Sequence, residues 1–424
     1  MRKASLGTIL LTVFLDLLGF GLVVPYLPGV ARELGASSFT ATLLGAAYSL
    51  MQLFFVPFWG HLSDRTGRRP ILITSIAASI AGMLILANAT SLWLLFAARL
   101  WSGVATSNIA VAQAYIADVT PREERSKGMG LIGAGIGFGF VLGPVIGGTL
   151  EAVNPLGRPG ALSAYAAAGL SLLNLLLALR FLPESLAPED RGKHVRSISP
   201  FNAARFRTAL DFRGVGAALL VNFVVVLSFS GLEQTFRLFT EDAFRMDAAA
   251  TGYVLGLVGL VLIAVQGGLL RPLSRAIGER PLIFAGVLIQ AAGFAGVAAS
   301  PRFGVPALYG AMSVIAFGSA LVNPSLSAFV SRCSDGQRQG TVLGVLQSAG
   351  ALARVCGPAV GGLLYQGVGH QGPYVAASIG MVVAAAFSLR LPGLPAGGVG
   401  APLPSAAAPP APASPRDGPA TPRA

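Results

Sequence analysis

Four ionisable side chains stand in otherwise apolar surroundings: Asp16 in TVFLDLLGFGLV, Arg99 in LFAARLWSGV, Glu233 in SFSGLEQTF and Arg354 in AGALARVCGP. A charged group placed in hydrocarbon costs at least about 2.5–3.5 kcal/mol, so each is a candidate for function. A buried carboxyl tends to hold a proton, and one that gains and loses it as its surroundings turn from dry to wet can carry it across a barrier. Asp16, with Gly19 and Val23 on its helical face, has that character; the alternative is a structural hydrogen bond to a neighbouring helix. Glu233 can bind a proton or a cation, or can be a solvated residue where its segment leaves the membrane. Arg99 shares a face with Ser102, Thr106 and Gln113, a polar stripe suited to lining a cavity. Its guanidinium either lowers the proton affinity of a nearby carboxyl or braces its helix through backbone carbonyls. Arg354 either attracts an anionic group or neutralises a buried carboxylate. Asp16, Arg99 and Glu233 are therefore the proton-coupling candidates. Tyr48, Gln52, Gln113, Asn222, Gln266, Asn323, Gln347 and Arg354 complete a mostly apolar pocket suited to an amphiphilic molecule, although polar residues of this kind also serve as helix–helix hydrogen bonds.

Other chemistries find no residues. The three histidines, His61, His194 and His370, fall in loops, and Cys333 and Cys356 form no disulfide framework. A metal site, a catalytic dyad within the membrane and a bound cofactor are not expected, and an embedded enzyme is disfavoured. No G-x-x-x-x-G-K-[ST] loop is present for ATP drive.

The elements that must position these residues are membrane helices. Charged residues are only 11% of 424 and the mean hydropathy is +0.69, which excludes an ordinary soluble domain. Twelve apolar runs of helical length can be traced, from 6–27 to 373–391, each near the roughly 20 residues that a bilayer-spanning helix needs. The net charge of +12 belongs to loops and does not imply a nucleic-acid partner. Of the 30 basic residues, 23 lie on the side shared by the termini and alternate loops, 5 on the other, and Arg99 and Arg354 lie inside spans. That asymmetry places both termini in the cytoplasm. The first run, preceded by Arg2 and Lys3, is too long for a signal peptide and reads as a retained helix.

The chain divides as 1–182, a basic linker 183–213, 214–391, and an alanine- and proline-rich tail 392–424 that reads as disordered. The two large parts repeat one another. LSDRTGRRP, Leu62 to Pro70, recurs as LSRAIGERP at an offset of 211, and GPVIGG, Gly143 to Gly148, recurs as GPAVGG at an offset of 214. The fold class that follows is an all-α integral membrane protein, with twelve transmembrane helices in two pseudo-symmetric six-helix bundles. In the fifth span Gly135, Gly139, Gly143 and Gly147 form one stripe with Pro144 beside it; the eleventh repeats it with Gly357, Pro358 and Gly361. Small residues at this spacing let helices approach closely, either as ordinary packing or as surfaces that rock against neighbours.

These segments carry a resemblance. GHLSDRTGRRPI resembles the loop motif between helices two and three of the major facilitator superfamily, GAGIGFGFVLGPVIGG its drug:proton antiporter motif in helix five, and RLWSGVA its helix-four motif. DLLGFGLVVPYLP and AYIADVTPREER look most like the twelve-helix tetracycline and multidrug efflux branch. The resemblance implies a bacterial-type inner-membrane carrier, acting as a monomer, that exchanges small amphiphilic substrates for protons by alternating access. It departs where Arg275 replaces the Asp64 of the first loop copy, and where Thr251 to Gln266 lacks the intramembrane histidine of the best-known tetracycline pumps. The resemblance implies a latch as well. Gly60 and Gly67 allow a tight turn, Asp64 sits on the N-terminus of span eleven, and Arg65 or Arg68 pairs with Asp118. The alternatives are a proton-coupled uptake symporter and, from another class, a non-transporting membrane sensor.

Overall fold

The computed structural model describes residues 6–106, 109–120, 125–192, 203–335 and 338–393. Residues 193–202 of the linker and 394–424 of the tail lie outside it. The chain folds as α1 (Gly7–Glu33, with a tighter turn at Val24–Tyr26), α2 (Ser38–Thr66), α3 (Arg68–Ala87), α4 (Leu92–Ala105 and Ile109–Val119), α5 (Arg125–Ala152) and α6 (Ala161–Phe181). After a short linker helix, Ala203–Leu210, come α7 (Val215–Phe244), α8 (Ala248–Ile277), α9 (Glu279–Ala299), α10 (Val305–Cys333), α11 (Gln339–Val368) and α12 (Gly372–Ser388). Among the described residues ten helices are long and apolar enough to cross a membrane; α12 and the Gly137–Ala152 part of α5 are shorter apolar helices.

Local signals start and stop these helices. The side chains of Ser37, Ser91 and Asp247 accept hydrogen bonds from the backbone N–H groups of Thr40, Leu94 and Ala250, the usual N-cap arrangement. At 29 residues α2 is about 44 Å long, well beyond a hydrocarbon core of roughly 30 Å, so its polar last turns emerge into water as helix. The expected polar hairpin is thereby corrected. Gly60 lies inside α2, and only Gly67, at φ 108°, separates α2 from α3. The side chains of Ser63, Asp64 and Arg68 satisfy one another along the helix surface, so α2 has no need to end at the membrane boundary.

The hydrophobic core is divided between the halves. Two clusters lie wholly within Ile9–Leu182, and the largest runs from Ala209 to Leu391. The glycine stripes work inside each half. Gly139, Gly143 and Gly147 of α5 press against Leu17, Gly21 and Leu22 of α1, and a Cβ at Gly143 would meet Gly21 Cα at 2.6 Å. Gly135 meets Phe14. In the second half Gly357 and Gly361 of α11 press against Gly231 of α7 in the same way. The stripes join helices within each half, and the surfaces on which the halves meet are others: α5 on α8, and α2 on α11. In the first of these Gly252, Gly256 and Gly259 of α8 face Val141, Pro144 and Val145 of α5. The exchange α5 for α11 and α8 for α2 turns one crossing into the other, as a repeat of six helices requires.

Candidate functional site

All four intramembrane charges line one cavity of about 460 Å³ between the halves. Helix α1 contributes Asp16, α2 Tyr48 and Gln52, α4 Arg99 and Gln113, α7 Glu233, and α11 Gln347 and Arg354. Each half thus supplies one acid and one arginine. A second lobe of about 330 Å³ shares Glu233, Gln347 and Arg354 and adds Asn222 and Asn323. A third, of about 320 Å³, runs from Gln52 and Gln113 along α2 to Val56 and Pro57, towards the α2–α3 end of the molecule. Gln266 is exposed in a π-helical turn, Val265–Leu269, and is not among the residues lining these lobes. The widened turn displaces that part of α8 from regular helical phase, and polarity alone does not tell which way Gln266 faces.

The first half of the cavity wall is built around Arg99, which is 2% exposed. Its guanidinium lies over the Tyr48 ring, 4.2 Å from the centroid, and its Nε donates to the Leu44 carbonyl at 3.5 Å. Both contacts hold a cation in a fixed place at low dielectric. Gln52 Nε2 donates to the Tyr48 hydroxyl at 2.8 Å, and Tyr48 and Thr106 hydroxyls lie 2.7 Å apart. Because Thr106 donates onward to the Ser102 carbonyl at 2.7 Å, Tyr48 must be the donor to Thr106. The chain therefore has one direction, from the cavity amide to the backbone of α4. Asp16 accepts from Asn174 Nδ2 of α6 at 2.9 Å. On the opposite wall, Glu233 lies within electrostatic reach of both Arg99 and Arg354. Among the described residues neither the Glu233 carboxylate nor the Arg354 guanidinium has a hydrogen-bond or ion-pair partner, so both are presented to whatever fills the cavity.

The two ends of the molecule differ. At the α1–α2 end the halves are tied directly. Arg32 makes a two-pronged ion pair with Asp242, at 2.6 and 3.0 Å, and the Tyr365 hydroxyl donates to the same carboxylate at 2.6 Å. Beside them the Phe39 N–H donates to Gln366 at 3.2 Å. At the α2–α3 end Arg68 joins Asp64 at 2.5 Å to Asp118 at 3.2 Å, all within the first half, while Arg65 is exposed. Glu184 caps α3 at this end. It accepts from the Arg68 and Arg69 N–H groups of α3 at 2.8 and 3.2 Å, and from Ser185 and Leu186 N–H groups at 3.0 and 3.1 Å.

Sequence comparison decides the family. The profile described as Major Facilitator Superfamily matches residues 9–354 and, in a second match, 269–417. The chain belongs to the major facilitator superfamily. The class C tetracycline resistance protein of Escherichia coli is 36% identical over 364 residues, covering 85% of this chain and 89% of that one. The crystal structure of the human organic anion transporter MFSD10 (TETRAN) superposes with a TM-score of 0.67 at 25% identity, over 90% of this chain and 98% of that one. The nucleoside transporter NupG, at a TM-score of 0.77 and 14% identity over 91% and 100% of the two chains, shares the fold.

Within this superfamily frame, several residues were not singled out by sequence. Glu184 follows Pro183 at the end of the sixth span, and nothing local marks it as a cap for a helix 116 positions earlier. Arg32 and Asp242 are 210 residues apart and sit at helix ends, where charge is ordinary. Two further groups did leave a signal. Gly252, Gly256 and Gly259 recur at helical spacing in GYVLGLVG. The offsets that relate the halves carry Arg68 onto Glu279 and Asp118 onto Arg332, and these pair at 2.6 Å with the signs exchanged.

Proposed function

We propose that this chain is a proton-coupled antiporter that exports small amphiphilic compounds across a bacterial-type inner membrane, with both termini cytoplasmic, working as a monomer. The observation that carries the proposal is one cavity lined by both halves, into which each half places one acid and one arginine. The class C tetracycline resistance relative supports export, and the apolar wall around few polar groups suits an amphiphile. On this reading the α1–α2 end is periplasmic and closed by Arg32, Asp242 and Tyr365, and the lobe at Gln52 and Gln113 is the cytoplasmic approach. Substrate binds between Glu233, Gln347 and Arg354. Proton uptake from the periplasm by Asp16 or Glu233, and its release to the cytoplasm, bias the return, while Asp64, Arg68 and Asp118 hold the cytoplasmic end of the first half as one body. One proton moving down 100 mV supplies about 2.3 kcal/mol, enough for a gradient of roughly fiftyfold in a neutral solute.

Everted membrane vesicles test this. Acidifying the lumen should drive accumulation of a fluorescent amphiphile with release of lumenal protons, and Asp16→Asn should abolish both at unchanged protein level. Normal accumulation by Asp16→Asn, or loss of the amphiphile from vesicles on acidification, would overturn the reading; the second result is that of an uptake symporter.

A second reading is favoured by one feature. Arg99 and Arg354 face the same cavity, and with both acids protonated the wall carries two cations and no anion. This supports organic anions as cargo, the class named for MFSD10. Arg354→Gln should then lower the affinity for an anionic dye more than for a cationic one.

A further inference from the structure

Asn174 of α6 is wholly buried, and its amide is only half used. Nδ2 donates to the main-chain carbonyl of Thr12 at 3.1 Å and to Asp16 Oδ1 at 2.9 Å, while Oδ1 has no hydrogen-bond partner. The orientation of the amide is fixed by chemistry, because a carbonyl such as that of Thr12 only accepts. A buried acceptor without a donor is rare and destabilising, so the missing donor calls for an explanation.

We propose that Asn174 selects the protonated form of Asp16, and that the donor absent from Asn174 Oδ1 is the O–H of the Asp16 carboxylic acid. An amide offers one donor and one acceptor side by side. A carboxylic acid offers the complementary acceptor and donor; a carboxylate offers two acceptors. Towards the anion the N–H attracts and the C=O repels, so the amide gives little net stabilisation. Towards the neutral acid both bonds form. The step involves one proton only. It arrives from water on the side to which the cavity is open, binds the carboxylate oxygen that turns to Asn174, and leaves to water on the other side. Asn174 is a positioning residue: it touches Asp16 and not the cargo cavity, whose lining includes Asp16 and Thr12.

Other groups bear on Asp16 without supplying this bond. The charged side chains sharing its cavity are Arg99, Glu233 and Arg354, with Tyr48 beside them. The helices packed on α1 place their described ionisable residues elsewhere: Tyr115 and Asp118 on α4, Glu151 on α5, and Tyr165 and Arg180 on α6, with Arg32 and Glu33 at the far end of α1 and Arg237, Glu241 and Asp242 on the part of α7 near it. Among these described groups, Asn174 is the one that offers Asp16 a donor and an acceptor side by side.

The inference rests on the proposed role of Asp16 as a proton carrier, and the experiment separates the two. Infrared difference spectra of the full chain in lipid vesicles, recorded on stepping pH, read the C=O stretch of a protonated carboxyl directly and need no substrate. The band assigned to Asp16 should vanish in Asp16→Asn. In Asn174→Leu it should move to higher frequency, as expected for a carboxylic acid that has lost both bonds to the amide, and its titration midpoint should fall by about one pH unit, a tenfold loss of proton affinity. The exchange Asp16→Asn with Asn174→Asp rebuilds the pair in mirror image and should restore a titrating band near the original midpoint. Should the leucine variant fail to fold, Asn174→Ser, with a single hydroxyl, should give a smaller shift in the same direction. An Asp16 band unmoved in frequency and midpoint by substitution at Asn174 overturns this inference and leaves proton carriage by Asp16 standing. A band that persists unchanged in Asp16→Asn overturns that reading and this inference together.

Discussion

Neutralising Asp242 should open the α1–α2 end. Asp242 accepts two charge-assisted bonds across the halves, the Arg32 prongs at 2.6 and 3.0 Å, and a third within its own half, from the Tyr365 hydroxyl at 2.6 Å. The Arg32 and Asp242 side chains are 26% and 36% exposed, so water screens the pair and its Coulomb part is worth well under 1 kcal/mol. The two-pronged, charge-assisted geometry adds to it, giving about 1.5 kcal/mol for the pair, while the Tyr365 hydroxyl holds the carboxylate in place from within the second half. Asp242→Asn keeps the shape and removes the charge. It should therefore raise the ratio of open to closed conformers at this end about tenfold. Spin labels on Glu33→Cys and Val368→Cys, at the ends of α1 and α11, report that distance directly. The long-distance population should grow in Asp242→Asn and in Arg32→Gln, and the double variant should add little to either single one. Unchanged distance distributions in both single variants would refute the lock.

Three further outcomes follow from the geometry. Gly67→Ala must adopt φ 108° and would drive a methyl group into Glu184 Oε2, so it should lower the melting temperature and slow transport, whereas Gly60→Ala, within α2, should do less. Glu279→Arg and Arg332→Glu should each destabilise the second half by about 1–3 kcal/mol in thermal unfolding, and the double exchange should recover most of the loss, because the first half shows the reversed pair to be buildable. Gly143→Leu should prevent folding of the first half, since Gly21 Cα lies in the way; Gly256→Leu, at the α5–α8 crossing, should leave each half folded but block exchange, read as normal monodisperse protein without transport.

The parts of this protein that obey composition and periodicity were legible in its sequence. Spans are runs of apolar residues, and the repeat shows itself in LSDRTGRRP and GPVIGG. The convergence of Asp16, Arg99, Glu233 and Arg354 was legible for a physical reason: charge in hydrocarbon is tolerated where a cavity or a partner receives it. What a residue touches was harder to read. The stripe of Gly139, Gly143 and Gly147 announces a close approach without saying to which helix, and the neighbour is α1 of the same half. Asp64 pairs with Arg68, a partner the helix-terminus argument did not name, and the cap on α3 comes from Glu184. Polar residues at helix ends have several partners of equal chemistry within reach, and only the packing of the whole chain selects among them. Gln266, chosen for its polarity within a span, lies exposed in a π-helical turn and lines none of the three lobes.

The strength of the ties bears on whether such a molecule can turn over. Each half is joined internally by close backbone contacts at glycines, and the halves meet at the α5–α8 and α2–α11 crossings and at the Arg32–Asp242 pair. A lock at one end of about 1.5 kcal/mol holds its state more than tenfold over the alternative. A proton crossing 100 mV supplies about 2.3 kcal/mol, which exceeds the lock by a small margin. A fully buried ion pair in place of Arg32 and Asp242 would be costly to break, by about 3–5 kcal/mol when one partner is lost, and one proton could not release it. If protons drive exchange as proposed, the partial exposure of this pair, a weakness if stability alone mattered, keeps the closed state within reach of that force.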